Sequence, residues 1–290
     1  MDPCAQIEGE EIIRAEGEFG SFVGAASDVV VHGTYRRTGT WSPDLHALLV
    51  DDLLRQGGTL LDVGANIGLV SVPVTRARPV RTIAFEPDPR NAELLRRNIA
   101  LHGLGERVEV HALALWSEEG RLPLARDPKN HGDQRLSRAG SGTSGGAVAA
   151  AGEHREGGAI GSSRQVVVTA RQLDKVLDLR GFARPVVAKL DTQGAEVDVL
   201  LGARASLPEI DYLVCEIWPS GLRRLGRTLA ELVELLVGEF DFAKLLLSGE
   251  SIWPLPPLRE EFARLEAVQA LYDEDTFFDA LVARMPTRPA

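Results

Sequence analysis

The sequence predicts a doubly wound α/β domain: an open, mostly parallel sheet covered by helices on both faces. Three observations point there. Apolar runs recur at Thr59–Gly68, Arg81–Pro89, Val108–Leu115, Val186–Glu196 and Tyr212–Pro219. Their cores do not alternate apolar with polar residues, as strands buried on both faces require. Helical stretches lie between them, clearest at Asn91–His102 and Val197–Ala205, which is the rhythm of repeated βαβ units.

The remaining elements follow from local signals. Residues 1–20 read as a frayed acidic lead-in and Ser27–Val31 as a short strand. Ser42-Pro43-Asp44 starts a helix running to about Gln56, with proline at the first helical position. Pro73 is expected to kink the first crossover helix. Toward the C-terminus the pattern predicts a helix at Thr228–Glu239, a strand at Phe242–Ser248, a helix at Leu258–Tyr272 and a last strand at Asp279–Met285. The short spacing of these final strands favours an antiparallel edge at the C-terminal end of the sheet. The expected division is an extension at residues 1–57, with a short strand and helix, and a main domain at 58–290. Arg138–Ser163 holds 18 Gly, Ala or Ser among its 26 residues. It cannot bury enough apolar surface to offset chain ordering, so 138–163 is expected to be a flexible insertion, either a surface loop or a lid.

Composition limits the function. The 290 residues suit one large domain or two small ones at about 100–200 residues each. A net charge of −10 repels phosphate backbones and anionic lipid. No apolar run approaches the roughly 18 residues of a membrane span. The N-terminus lacks the basic start and apolar centre of a secretion signal. The two cysteines, Cys4 and Cys215, stand far apart without His-rich partners, against a disulfide framework or a structural metal. The expectation is a cytoplasmic protein with no nucleic-acid or membrane partner and no metal-ligand spacing, although an acidic rim of Asp191 and Glu216 could hold magnesium.

Open α/β sheets bind ligands beyond the carboxyl ends of their strands. The first run ends Asp62-Val63-Gly64-Ala65-Asn66-Ile67-Gly68, where Gly64 and Gly68 allow a tight turn and close approach to a ligand. The second ends at Glu86-Pro87, about one βαβ step further on, where an acid can accept both hydroxyls of a ribose. A dinucleotide site needs G-x-G-x-x-G, but here Asn66 takes the place of the middle glycine and Asp62 precedes the turn. An acid there repels a diphosphate. It suits a cationic amino group instead, such as that in the methionine part of S-adenosylmethionine.

With DVGANIG, AFEP, KLDTQGAE and the glutamate that ends the next strand, the chain resembles the FkbM family of S-adenosylmethionine-dependent methyltransferases. Asn130-His131-Gly132-Asp133, Arg135-Leu136 and Thr169–Asp174 also fit. The resemblance covers roughly Leu60 to Trp218 and is specific as a set. It implies a Rossmann-like class I methyltransferase fold and O-methylation of sugars or natural products, with a small-molecule acceptor. It places Asp62, Gly64, Ala65, Asn66, Gly68, Glu86 and Pro87 around the cofactor, with Ala112 and Ala114 toward the adenine. The family often has glutamate where Gln193 stands and asparagine near Ala112.

Lys189 and Asp191 are two apart and share one face of their strand. Either they form a structural ion pair, or Asp191 deprotonates an acceptor hydroxyl with Lys189 keeping it charged. Glu216, ending the next strand, is the second candidate base. His131 is the third, although its polar loop reads as solvated. Trp116, Trp218 and Trp253 read as core or pocket wall. Two alternatives stand beside this reading: an NAD(P)-linked oxidoreductase, and a methyltransferase fold that binds without turnover.

Overall fold

The computed structural model describes residues 2–138, 165–247, 250–269 and 276–289. An N-terminal hairpin, β1 (Ile12–Gly17) and β2 (Gly20–Ala25), is followed by helices α1 (Val31–Thr38) and α2 (Pro43–Ala47). The last of these runs on as a π-helical stretch at Leu48–Leu53. Then come β3 (Gly58–Val63), α3 (Ser71–Ala77), β4 (Val80–Phe85), α4 (Pro89–Leu101) and β5 (Val108–His111). A second group of strands follows: β6 (Ala114–Leu115), β7 (Gly120–Ala125), β8 (Arg135–Leu136) and β9 (Gln165–Arg171). The chain continues through α5 (Leu173–Val176), β10 (Val186–Leu190), α6 (Glu196–Leu201), β11 (Tyr212–Ile217) and α7 (Pro219–Arg224). It closes with α8 (Leu229–Glu239), β12 (Phe242–Leu245), α9 (Leu258–Gln269) and β13 (Phe278–Ala283).

Among the described residues the central sheet has the order β12-β13-β11-β10-β3-β4-β5. The doubly wound α/β fold is as expected, with β3, β10 and β11 buried along their whole length. The antiparallel C-terminal strand is also there, one place in from the edge. β13 slots antiparallel between β11 and β12, so β12 becomes the edge.

Four local expectations change. Ser27–Val31 is not a strand. The Asp28 carboxylate accepts the amides of Val31 and His32, both at 3.0 Å, and so starts α1 inside the valine run. The lead-in is not featureless either, because Ile12, Ala15, Phe22 and Val23 are spaced so that the β1–β2 hairpin buries them. The Val108–Leu115 run splits, β5 joining the central sheet and β6 a four-stranded one of order β6-β9-β7-β8. Pro73 lies in the first turn of α3, where its missing N–H removes no interior helical bond. Of the expected insertion, residues 139–163 lie outside the described residues. Among those described, no helix is long and apolar enough to cross a membrane.

The hairpin is tied to the main sheet by a buried side chain on α4. Asn98 accepts the amide of Val23 at 2.7 Å and donates to the carbonyls of Val23 (3.0 Å) and Ile67 (2.8 Å). One carboxamide therefore links β2, α4 and the glycine loop after β3. Asn98→Ala leaves these backbone groups unpaired in a dry site and should lower the unfolding free energy by about 2–4 kcal/mol. Urea denaturation measures it.

Candidate active site

The carboxyl ends of the parallel strands open into a cavity of about 1300 Å³. Its first wall is the loop after β3. The φ of Gly64 is +83°, and a Cβ there would lie 2.0 Å from the carbonyl oxygen of Asp191, so only glycine fits between the ends of β3 and β10. Asn66, at φ +50°, donates its backbone amide to Glu86 at 2.8 Å and its side-chain amide to the His131 carbonyl at 3.1 Å. Glu86 also accepts the Asp88 amide at 2.8 Å. Burial and the neighbouring charge of Asp88 push the Glu86 carboxyl up to about 8.

Strand register assembles the second wall. Lys189 on β10 pairs with Asp62 on β3 and Val214 on β11, and Glu216 on β11 pairs with Asp279 on β13. With a side-chain period of two, Asp62, Lys189, Asp191, Glu216 and Asp279 share one face. Lower on that face, Leu60, Val187, Tyr212 and Leu281 form an apolar layer under Leu48 and Leu49. The charged end sits where this layer gives way to the cavity.

Lys189 is the hub. Its ammonium lies 3.4 Å from Asp62 and 3.3 Å from Asp191, and it donates to the Gly64 carbonyl at 3.0 Å. Burial opposes the charge, but the two carboxylates outweigh it and raise the Lys189 pKa. Asp62 is fully buried and also accepts from Ser71 at 2.6 Å. The Asp191 side chain remains 43% exposed on the cavity wall. Gln193, held at φ +56°, donates its amide to Asp191 at 3.0 Å and to Glu216 at 3.3 Å. Burial, then Asp191, Glu196 and Asp279, push Glu216 up to about 10, and burial with Asp191 pushes Asp279 up to about 6. Two acids of one cavity wall thus hold a proton more tightly than usual, Glu216 far more than Asp279, beside an ion-paired third.

Of the expected site residues, Gly64, Ala65, Asn66, Glu86, Pro87, Ala114, His131, Lys189, Asp191 and Glu216 all line the cavity. Asp62 does not, because Ser71 and Lys189 hold its carboxylate inside the protein. Gly68 packs against Leu95, where a Cβ would come within 2.7 Å. Ala112 is exposed between β5 and β6, and Leu113 takes its place on the wall. His131 is not solvated. It is buried, its ring 3.2 Å from Ser27 and its carbonyl accepting from Asn66 and Asn91; burial and Arg90 lower its pKa. It orders the glycine loop through its backbone. Sequence reasoning missed Asp279, Arg135, Arg224 and the Trp41–Leu45 wall. Asp279 carried a signal, a lone acid in an apolar strand, but naming it required the β11–β13 register.

Residues 62–241, more than half of the chain, match the family model described as the Methyltransferase FkbM domain. The chain belongs to this family. It is 32% identical over 176 residues to "Methyltransferase sdnD" of Sordaria araneosa, covering 57% of this chain and 68% of that protein. It is 27% identical over 197 residues to "2-O-methyltransferase NoeI" of Sinorhizobium fredii, covering 62% and 71%. The match to "31-O-demethyl-FK506 methyltransferase FkbM" of Streptomyces tacrolimicus is 28% over 195 residues, covering 64% and 73%. This FkbM-family chain is an S-adenosylmethionine-dependent methyltransferase, which sets the oxidoreductase alternative aside.

The residues suit that cofactor. Asn66 places a buried side-chain oxygen without a hydrogen-bond partner on the cavity wall. Each Glu86 oxygen takes one backbone amide and keeps a lone pair for a ribose hydroxyl. Among the described residues, no group of three or more His, Cys, Asp or Glu is arranged to hold a metal ion.

Two outcomes test this geometry. Glu86 binds its proton more tightly folded than unfolded, so its contribution to stability declines as pH rises from about 4.5 to about 8. Hydroxyl donors favour its ionised form, so affinity for S-adenosylhomocysteine should rise with pH up to about 8, at most about tenfold per unit. Glu86→Gln should flatten the slope in calorimetric titrations across pH 6–9. Lys189→Met leaves Asp62 buried without its cation and should cost about 3–5 kcal/mol of stability, read by chemical denaturation.

Proposed function

We propose that the enzyme O-methylates a hydroxyl of a small molecule, a sugar or natural product, with residues 58–290 as the catalytic unit and residues 1–57 as an extension that walls the cavity. The observation that carries this reading is Asp191, an ion-paired carboxylate on the cavity wall whose own carbonyl touches the glycine loop. S-adenosylmethionine supplies a methyl group already activated by its sulfonium. The protein's task is to hold an acceptor oxygen in line and accept its proton. Gly64, Ala65 and Asn66 with Glu86 and Pro87 hold the cofactor. Lys189 fixes Asp191 in place, and Asp191 takes the hydroxyl proton. Glu216, whose burial and neighbouring carboxylates favour retention of its proton, donates to a second acceptor oxygen and orients it.

Support for oxygen as the acceptor atom comes from two relatives whose names are those of O-methyltransferases. The net charge of −10 supports a cytoplasmic enzyme that does not bind nucleic acid or anionic membranes. Asp191→Asn should leave S-adenosylhomocysteine affinity within about twofold and reduce turnover by about 10²–10⁴-fold, the range of a lost general base. Extracts supplied with deuteromethyl-labelled donor and read by mass spectrometry test the class. A labelled product that resists O-demethylation, with the new methyl on nitrogen or carbon, contradicts it.

A further inference from the structure

The acidic wall has a basic counterpart. Arg135 from β8, together with Arg223 and Arg224 from α7, lines the same cavity in a chain of net charge −10. Arg135 and Arg224 both rest on the Trp218 ring, 5.0 and 5.1 Å from its centroid. Two guanidinium groups brought to one ring repel each other, and partial desolvation with Arg135 lowers the Arg224 pKa. Arg135 is matched by the carboxylate of Asp133 in a forked pair. Arg224 is not so matched. Among the described residues it has no ion-pair partner, and one of its N–H groups donates to the Gln193 carbonyl.

This position is informative. Gln193 bridges Arg224 to Asp191, its backbone carbonyl accepting from the arginine and its side-chain amide donating to the carboxylate. The unmatched guanidinium therefore stands one residue from the proposed base, with donors to spare out of five. It belongs to the helix after β11, whereas the glycine loop follows β3, with β10 between them. A planar donor fork is the group that recognises carboxylates and phosphates.

Building on the methyl-transfer reading, we infer that the acceptor carries an anionic group, a carboxylate or a phosphate, close to the hydroxyl that is methylated, and that Arg224 seats it against Trp218. The acceptor then meets the protein at two points: the anion on the arginine and the hydroxyl on Asp191.

The test uses the full chain saturated with S-adenosylhomocysteine. Inorganic phosphate and, in parallel, acetate are titrated by calorimetry at constant ionic strength, which separates phosphate from carboxylate recognition. At least one anion should bind to the wild type, and about tenfold or more weakly to Arg224→Gln, the loss of charge-assisted hydrogen bonds. Arg224→Lys should fall between, keeping the charge without the fork. S-adenosylhomocysteine affinity should be unchanged in both variants, which also reports that they fold. Equal anion affinity in wild type and Arg224→Gln, or no anion binding at all, overturns the inference. So does a loss of S-adenosylhomocysteine affinity in the variants, which would assign the arginine to the cofactor's own carboxylate. Failure of the wild type to take up S-adenosylhomocysteine sinks the methyl-transfer reading and this inference with it. Uptake without an anion site sinks this inference alone.

Discussion

A single buried ammonium holds the working end of this sheet together. Lys189 lies between Asp62 of β3 and Asp191 beyond β10, and donates to the carbonyl of Gly64. Taking a lysine out of water is costly unless opposite charge is close, and here two carboxylates supply it. The arrangement ties the ends of β3 and β10 to the glycine loop and holds Asp191 at the cavity wall. The structural ion pair and the proposed catalytic role are compatible, since the pair holds in place the carboxylate proposed to do the chemistry.

Around that hub the cavity divides by charge. Glu86 and Asn66 form one end with backbone amides and carboxylate oxygens, suited to a ribose. Asp191, Glu216 and Asp279 form an acidic wall in which burial and mutual repulsion raise the proton affinity of Glu216 and, less strongly, of Asp279. Acids with different protonation in one site can divide the roles of base and donor. The Arg135–Trp218–Arg224 stack faces them with the opposite charge. Gln193 touches both sides, and its left-handed backbone is the kind of local strain that a tightly packed site sustains.

The N-terminal segment belongs to this architecture. Asn98 joins the hairpin to the glycine loop, the His131 carbonyl ties the Asn130–Asp133 loop to Asn66, and Trp41–Leu45 close one side of the cavity. The reach from residue 23 to residue 98 and on to residue 67 is long in sequence and short in space. No spacing rule could have announced it, which is why the lead-in reads as featureless although its apolar residues are buried.

What was legible in the linear chain is what depends on near neighbours. Non-alternating strands, proline at helix starts, glycines in a turn and acids at strand ends all express themselves within a few residues, and they led to the parallel sheet and to the glycine loop and Glu86 on the cavity wall. Folding in three dimensions settled whatever depends on register and burial. Asp62 turned inward because β10 set a lysine beside it, Ala112 fell on a strand switch between two sheets, and Asp279 joined the site through its pairing with Glu216. A charge near a strand end marks a candidate. Whether it faces ligand or protein depends on which distant residue the fold places against it, because in a medium of low polarity the nearest opposite charge outweighs every local preference.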